Sequence, residues 1–535
     1  MFCIAFWRWL GCAMALPQGV GSGLNLVLSD DGESSAGTNN SPQDDWEYVL
    51  WPISSVQTTK RLVAILIAAF FKRHEEILMK ATMTAIPLAV GLLVAGSVLA
   101  KVPAAEADKL GKELTCVGAE KAGSKDGVPE FTGKWLGTPP GVQYTPHTGQ
   151  HPVDPYANEK PVLTITAENQ AQYASKLSDG QKALFAKFPK TFRMDIYPGH
   201  RDFRYSDAVC DAAKKNALNA EVADGGLGIK NAVRGAIPFP IPKNGQEALM
   251  NNMFPSRAFN EDKVADIANV LSDGSISWGR QRNKNMDYGN LPAEIGKPLE
   301  GKMANSLNST LLPEREKGSV SVSSEPVNFA KDKRLAWNYD PGTRRVRQLP
   351  EYGFDQPLGG SGGKMTIDSD RLFNGSPERY NWKLLGKREM YIPANSYKLH
   401  SKDVKYADLI KPGVPNADYF RWELRRVVAV EGTLKDSYRH LYAKRVLFLD
   451  EDTGMAVMSD MYDARGSLWQ YAFINYYYGF DINAWQAGNA FFFDLNSGGY
   501  VAYNLFQERP RAGILNKGDL KPSMFTPQAA RNMGN

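Results

Sequence analysis

The sequence predicts an α+β fold: a large, curved antiparallel β-sheet from the second half of the chain, with earlier helices over its concave side and an apolar cavity between them. Three observations predict it. The second half is a succession of apolar and alternating runs separated by short turns. Each connection there reads as a hairpin or a loop, the linkage of antiparallel neighbours. Residues 168–254 carry helical patterns whose apolar stripes need a surface to cover, as the sheet face needs a cover.

The elements follow in order. Residues 79–104, MKATMTAIPLAVGLLVAGSVLAKVPA, read as an export signal: Lys80 is the basic head, Ala85 to Val94 the apolar stretch, and Val98-Leu99-Ala100 the small-residue cleavage site. The stretch is too short for a membrane span, which needs roughly 20 apolar residues. Upstream, Gly21 to Asp45 is a polar run that buries no core, and Leu62 to Phe71 neither spans a bilayer nor ends in a cleavage motif. We therefore expect Met79 to be the true start, residues 1–78 to be an over-early extension, and cleavage after Ala100 to leave a periplasmic protein. Peptides from 1–78 recovered by mass spectrometry from the native organism would exclude this expectation.

From Lys101 to about Pro161 the chain holds too many prolines for a helix or a sheet interior and reads as an irregular wrap. Helical patterns follow at Glu168–Leu177, Asp179–Phe188 and Ser206–Val222, the last with Ser206 as N-cap. Pro238, Pro240 and Pro242 then force extended backbone before a short helix at Gln246–Phe254. Lys333–Tyr339 and Arg344–Leu349 flank the turn DPGT, and 351–380 reads as a Gly-rich loop. In YFRWELRRVVAVEGTL, Phe420, Trp422, Leu424 and Val428 share one face, while Arg421, Glu423, Arg425 and Glu431 share the other. Strands at Tyr442–Leu449, Met455–Tyr462 and Ser467–Tyr477 are joined by DEDTG and DARG, and NAFFFDLNSGGYVAYNLF makes a further hairpin.

Composition narrows the function. Residues 101–535 carry 57 Lys and Arg against 50 Asp and Glu, with no long basic block. The mild excess fits a solvated surface or weak attraction to anionic lipid, and nucleic acid is not an expected partner. Once Cys3 and Cys12 leave with the extension, Cys116 and Cys210 remain, and an even pair in an exported chain suggests one disulfide rather than two separate buried thiols. A bridge over so long a loop would stabilise by roughly 4–5 kcal/mol in the chain-entropy model.

No catalytic set, metal site or cofactor is legible. GGSGG at 359–363 matches the nucleophile-elbow spacing without its strand and helix, DEDTG has Met461 where a calcium loop needs Glu, and His147, His151 and Asp154 sit in a proline-rich loop. His200, His400 and His440 are scattered singly, and Gly225-Gly226-Leu227-Gly228 lacks the context of a phosphate cradle. The stronger signal is the aromatic load of the last third. We expect Phe420, Trp422, Leu424 and Val428 of one strand, with Trp469, Tyr471 and Phe473 of another, to line a ligand cavity, and GGSGG and PFPIPKNG to form its movable rim. A hydrolase acting on lipid or polysaccharide, or a structural envelope protein with a filled barrel, are the competing readings.

Three blocks, RGAIPFPIPKNGQEALMNN, LAWNYDPGTRRVRQLP and RRVVAVEGTLKDSYRHLYAKRVLFLDEDTGMAVMSDMYDARGSLWQ, resemble a large proteobacterial family of exported proteins described as outer-membrane lipoprotein-sorting-like. The resemblance covers roughly residues 101–535. That family looks like an enlarged relative of the LolA/LolB lipoprotein carriers, whose fold is an incomplete antiparallel barrel closed by helices over a hydrophobic cavity. The resemblance implies one such domain with insertions at 101–160 and 351–380. It implies a periplasmic carrier of lipid or another hydrophobic molecule. It also implies association with a resistance-nodulation-division exporter and an outer-membrane partner, and it transfers no catalytic residue.

Overall fold

The hairpins read from the sequence form, and they join into one open sheet. In chain order its main strands are β1 (Asn260–Val270), β2 (Ile276–Asp287), β3 (Lys302–Leu312), β4 (Val320–Pro326), β5 (Leu335–Asp340) and β6 (Arg345–Gln348). Then follow β7 (Tyr380–Pro393), β8 (Trp422–Leu434), β9 (Lys444–Asp450), β10 (Ala456–Tyr462), β11 (Leu468–Gly479), β12 (Ala484–Asp494) and β13 (Tyr500–Leu505). Each meander, β1 to β6 and β7 to β13, pairs its strands in sequence, and β13 pairs with β1 to make them one sheet. Strands β6 and β7 remain at the two ends, so the sheet is not closed into a barrel. The pairing is antiparallel except where Trp422 meets Ile196 of a short strand, Met194–Ile196. This computed structural model describes residues 102–349 and 354–534, so the export signal, the early start and Cys3 and Cys12 lie outside the described residues.

Local chemistry explains the turns. Asp340 of DPGT accepts the N–H groups of Gly342 and Thr343 (2.8 and 3.2 Å), which folds the chain back so that Asp340 pairs with Arg345. In DEDTG, Gly454 takes φ 71° and donates its N–H to the Asp450 carbonyl (2.8 Å).

Helix α1 (Asp179–Lys187) starts at a capping box formed by Ser178 and Gln181. Asp460 of β10 reaches its first turn, accepting from the Ser178 hydroxyl (3.0 Å) and the Asp179 and Gly180 N–H groups (3.0 and 3.1 Å). A side chain at Gly180 would strike the Tyr471 ring at 2.1 Å, so glycine lets the helix touch the sheet. Helix α2 (Asp207–Asn219) is capped by Ser206, α3 (Gly245–Met253) by Asn244, and α4 (Pro527–Gly534) ends the described chain. The expected helix at 168–177 is a 3-10 segment, Gln170–Lys176.

Helices α1 and α3 cover the β7–β11 half, and α4 covers β3 to β5 over a small core of Leu307, Val320, Val322 and Tyr339. Helix α2 sits one layer out. Its buried face is Ala212, Ala213, Asn216 and Ala217, which is small enough to lie against extended backbone. Asn216 holds that backbone, donating to the Val233 and Ile237 carbonyls (both 3.1 Å) and accepting the Val233 N–H (2.6 Å). Among the described residues no helix is long and apolar enough to cross a membrane.

Candidate functional site

A cavity of about 370 Å³ lies where α3, the proline segment, the N-terminal wrap and strands β7 to β9 meet. Leu384, Val428 and Leu449 line it from the sheet, Ile237, Pro240 and Ile241 from the proline segment, and Leu114 and Val117 from the wrap. Its volume falls in the range of small-molecule sites, about 300–1,000 Å³.

Each wall has a local cause. The prolines keep 238–242 extended, and Asn251 of α3 grips Phe239 twice, accepting its N–H (2.9 Å) and donating to its carbonyl (2.7 Å). Strand β7 carries a bulge between Leu384 and Gly386, with Gly386 at φ 93°, which bends the strand beside the cavity. The wrap closes against Pro240 at Gly118, where a Cβ would lie 1.7 Å from the Pro240 oxygen. Cys116 and Cys210, 94 residues apart, form the disulfide that ties the wrap to α2. Because α2 in turn grips 233–237 through Asn216, the cavity is held between two covalently linked pieces.

Charged groups share the lining with these apolar ones, among them Lys387 and the buried carboxylates of Asp450 and Glu451. Lys387 pairs with Glu120 (2.9 Å) and with Glu451 (2.5 Å), and Lys109 and Glu113 stand nearby at 3.6 Å from one another. Burial pushes the Glu451 carboxyl up, against the pull of Lys387.

The residues expected to line a cavity divide. Val428 lines this one. Phe420 and Trp422 meet Phe473 at ring-centroid distances of 5.8 and 5.2 Å, and Tyr471 meets Phe473 at 5.7 Å, within the main core. Leu424 is buried in the same core, and Trp469 is half-buried with its ring edge on Tyr442 (5.7 Å). The two stripes thus come together as a ring-on-ring cluster. PFPIPKNG forms a wall of the cavity, clamped by Asn251, while GGSGG lies elsewhere, with Ser361 fully buried.

The opposite face of β8 departs from the alternation. Arg421, Glu423 and Arg425 are buried rather than solvated, because the chain at 129–202 crosses that face and brings partners. Arg201 donates to both oxygens of Asp452 (2.8 and 2.7 Å), and Arg425 reaches Asp452 (2.7 Å) and Glu423 (3.3 Å). Arg421 bonds Glu423 and Glu159, both at 2.7 Å. Asp450, beside this network, is pushed up to about 6 by burial.

The other candidates have structural partners. The Ser361 hydroxyl donates to the Leu358 carbonyl (2.7 Å). His147 bonds the Leu515 carbonyl (2.8 Å), His151 the Phe506 carbonyl (3.0 Å), and Asp154 accepts the Tyr156 N–H (2.8 Å), so the three do not converge. Among the described residues no group of three or more His, Cys, Asp or Glu is placed to hold a metal.

Comparison with known proteins agrees with the sequence blocks. Residues 164–531 match the family described as Protein of unknown function (DUF1329). The uncharacterised protein PA3922 of Pseudomonas aeruginosa is 39% identical over 457 residues, covering 84% of this chain and 97% of that protein. Among solved structures, a DUF1329 family protein from Desulfovibrio piger is 14% identical with a TM-score of 0.35, covering 51% of this chain and 92% of its own. The LolA superfamily protein NE2245 from Nitrosomonas europaea is 17% identical with a TM-score of 0.32, covering 53% and 98%.

Proposed function

We propose that this chain, which belongs to the DUF1329 family of proteins of unknown function, is a periplasmic carrier that holds a lipid or another hydrophobic molecule without covalent chemistry. The observation that carries the reading is the 370 Å³ cavity, to which the sheet, the proline segment and the wrap each contribute apolar side chains. Each buried CH₂ of a cargo contributes about 0.8 kcal/mol, so an aliphatic tail on Leu384, Val428 and Leu449 is held by burial alone. Release then requires the wrap to move, and the disulfide restricts that motion to the segment beyond Cys116 and the Gly118–Pro240 contact. A carrier needs a donor and an acceptor. The resistance-nodulation-division exporter and outer-membrane protein implied by the resemblance are the candidates.

The test is Val428→Asp, which sets a carboxylate on the cavity lining. Native mass spectrometry of periplasm-purified wild type should find a bound hydrophobic molecule, and the folded variant should retain about a tenth of that load or less, since a carboxylate opposite Lys387 on the lining keeps water that an aliphatic tail would have to strip. A wild type that carries nothing refutes the carrier reading, and an unchanged load in the folded variant refutes this cavity as its site.

A further inference from the structure

A second cavity, about 210 Å³, opens on the inner face of the sheet between β1 to β4 and the segment that links β6 to β7. Its chemistry is the reverse of the first. Four cations and four carboxylates line it, and three pairs are closed: Arg257 with Asp287 at 2.5 Å, Lys263 with Glu261 at 3.0 Å, and Arg334 with Glu325 at 2.6 Å. The fourth pair is looser and reached by solvent, with the Asp370 side chain 43% exposed. Arg371 comes no nearer than 3.7 Å to Asp370, and its guanidinium makes no hydrogen bond among the described residues. Asp370 has one weak donor, the Asn374 amide at 3.4 Å. From β13, Asn504, 6% exposed, also lines the cavity, donates to the Gly488 carbonyl (2.8 Å) and leaves its amide oxygen unpartnered.

The backbone is bent to present this pair. Arg371 and Leu372 both lie in the left-handed region, at φ 50° and 66°, which is unfavourable for residues with side chains. The turn buries Leu372 and Asp368 while Asp370 and Arg371 line the cavity. Hydrogen bonds hold it, from the Asn252 amide to the Phe373 carbonyl (3.3 Å) and from the Asn374 N–H to the Asp368 carbonyl (2.8 Å). A turn serving packing alone would be met by glycine, and here two side chains accept the conformation.

We infer that this cavity binds a zwitterionic head group, whose ammonium sits at Asp370 and whose phosphate sits at Arg371. An ammonium supplies donors to Asp370, which has only the Asn374 amide, and a phosphate the acceptors that the Arg371 fork lacks. A group carrying both inserts into the looser pair without changing the cavity's net charge. The site does not rest on the carrier reading, because it lies in a different cavity and its ligand is recognised by charge.

The test is titration calorimetry on the full chain, with glycerophosphoethanolamine, a phosphodiester of no net charge, in solution and phosphatidylethanolamine in nanodiscs, phosphatidylglycerol nanodiscs serving as the lipid control. Inorganic phosphate and ethanolamine alone should bind at least about tenfold more weakly than the zwitterion, since each meets half of the site. Asp370→Asn and Arg371→Gln should each weaken binding about tenfold or more. Arg371→Gly should weaken it equally and raise Tm, because glycine relieves the left-handed backbone. A side chain with only a structural role would not separate stability from binding in that way. Binding in solution assigns a free zwitterion, and binding confined to phosphatidylethanolamine nanodiscs assigns a lipid head group. Saturable binding of neither, or undiminished binding by Arg371→Gly, overturns the inference. Val428→Asp leaves this cavity intact, so the two proposals fail separately.

Discussion

Arg425→Ala will cost about 3–5 kcal/mol of folding free energy, the loss that follows when one partner of a buried ion network is removed. Arg425 is 4% exposed and donates to the His200 carbonyl (2.7 Å) as well as to Asp452 (2.7 Å) and Glu423 (3.3 Å). Its removal leaves Glu423, Asp450 and Asp452 buried with two guanidiniums, Arg201 and Arg421, where three stood. The deficit should shrink as pH falls. Burial already raises Asp450 to about 6, and losing a cation raises it further, so the variant folds with more protons bound than its unfolded chain and gains stability relative to wild type in acid. Guanidinium unfolding at pH 8 and pH 5.5 measures both effects. Arg282→Ala is the control, because Arg282 pairs with Asp262 at 2.7 Å with its side chain 44% exposed, and such a pair contributes under about 1 kcal/mol. Equal losses in the two variants would show that the network is not a determinant of the fold.

That network also marks where sequence reading stops. Alternation placed Arg421, Glu423 and Arg425 on a face opposite Trp422, correctly, and alternation cannot tell a solvated face from one crossed by a distant segment. The covering partners, Glu159 and Arg201, lie more than two hundred residues upstream. The legible elements are those whose cause is local: the DPGT turn, the Ser206 cap, the hairpin through LNSGG. Strands β1 to β4 gave no such signal. In β2, Arg280 and Arg282 pair with Asp266 and Asp262 on one side, and Asn283 and Asn285 line the polar cavity on the other, so no apolar period marks the strand. In β7 the bulge at Leu384–Gly386 shifts the alternation midway. Val428 lies on a legible strand, but it lines a cavity apart from the aromatic residues it was grouped with, which pack in the core. Ile237, Leu384 and Leu449 reach the same cavity from three separated elements, and nothing local to each shows their meeting.

The fold will lose about 3 kcal/mol between pH 7.5 and pH 4.5 on account of His400 alone. The imidazole is fully buried against Phe506, with ring planes 16° apart, and both of its nitrogens are committed. Nδ1 stands 2.6 Å from the Ser396 carbonyl, so it carries the proton, and Nε2 accepts the Asn489 N–H at 2.9 Å, so its lone pair is taken. A Cβ on Gly488 would lie 2.0 Å from Nε2, which shows how closely the backbone encloses that atom. Burial therefore holds His400 down to about 3, against an unfolded value of 6.5. Between those values the unfolded chain binds a proton that the folded chain refuses. The contribution is thus complete above about pH 6.5 and is lost by about 1.4 kcal/mol for each unit below it. His200 acts in the opposite sense, since in spite of burial the hydrogen bonds its ring donates to Asp202 and Glu159 raise it, and its contribution fades as pH rises. Comparing wild type with His400→Gln removes that common background. Glutamine cannot titrate, so the variant, less stable at pH 7.5 for its lost ring packing, should fall by about 3 kcal/mol less on acidification. Parallel stability profiles for the two proteins would mean that His400 finds room for its second proton and that the Nε2–Asn489 bond does not hold in solution.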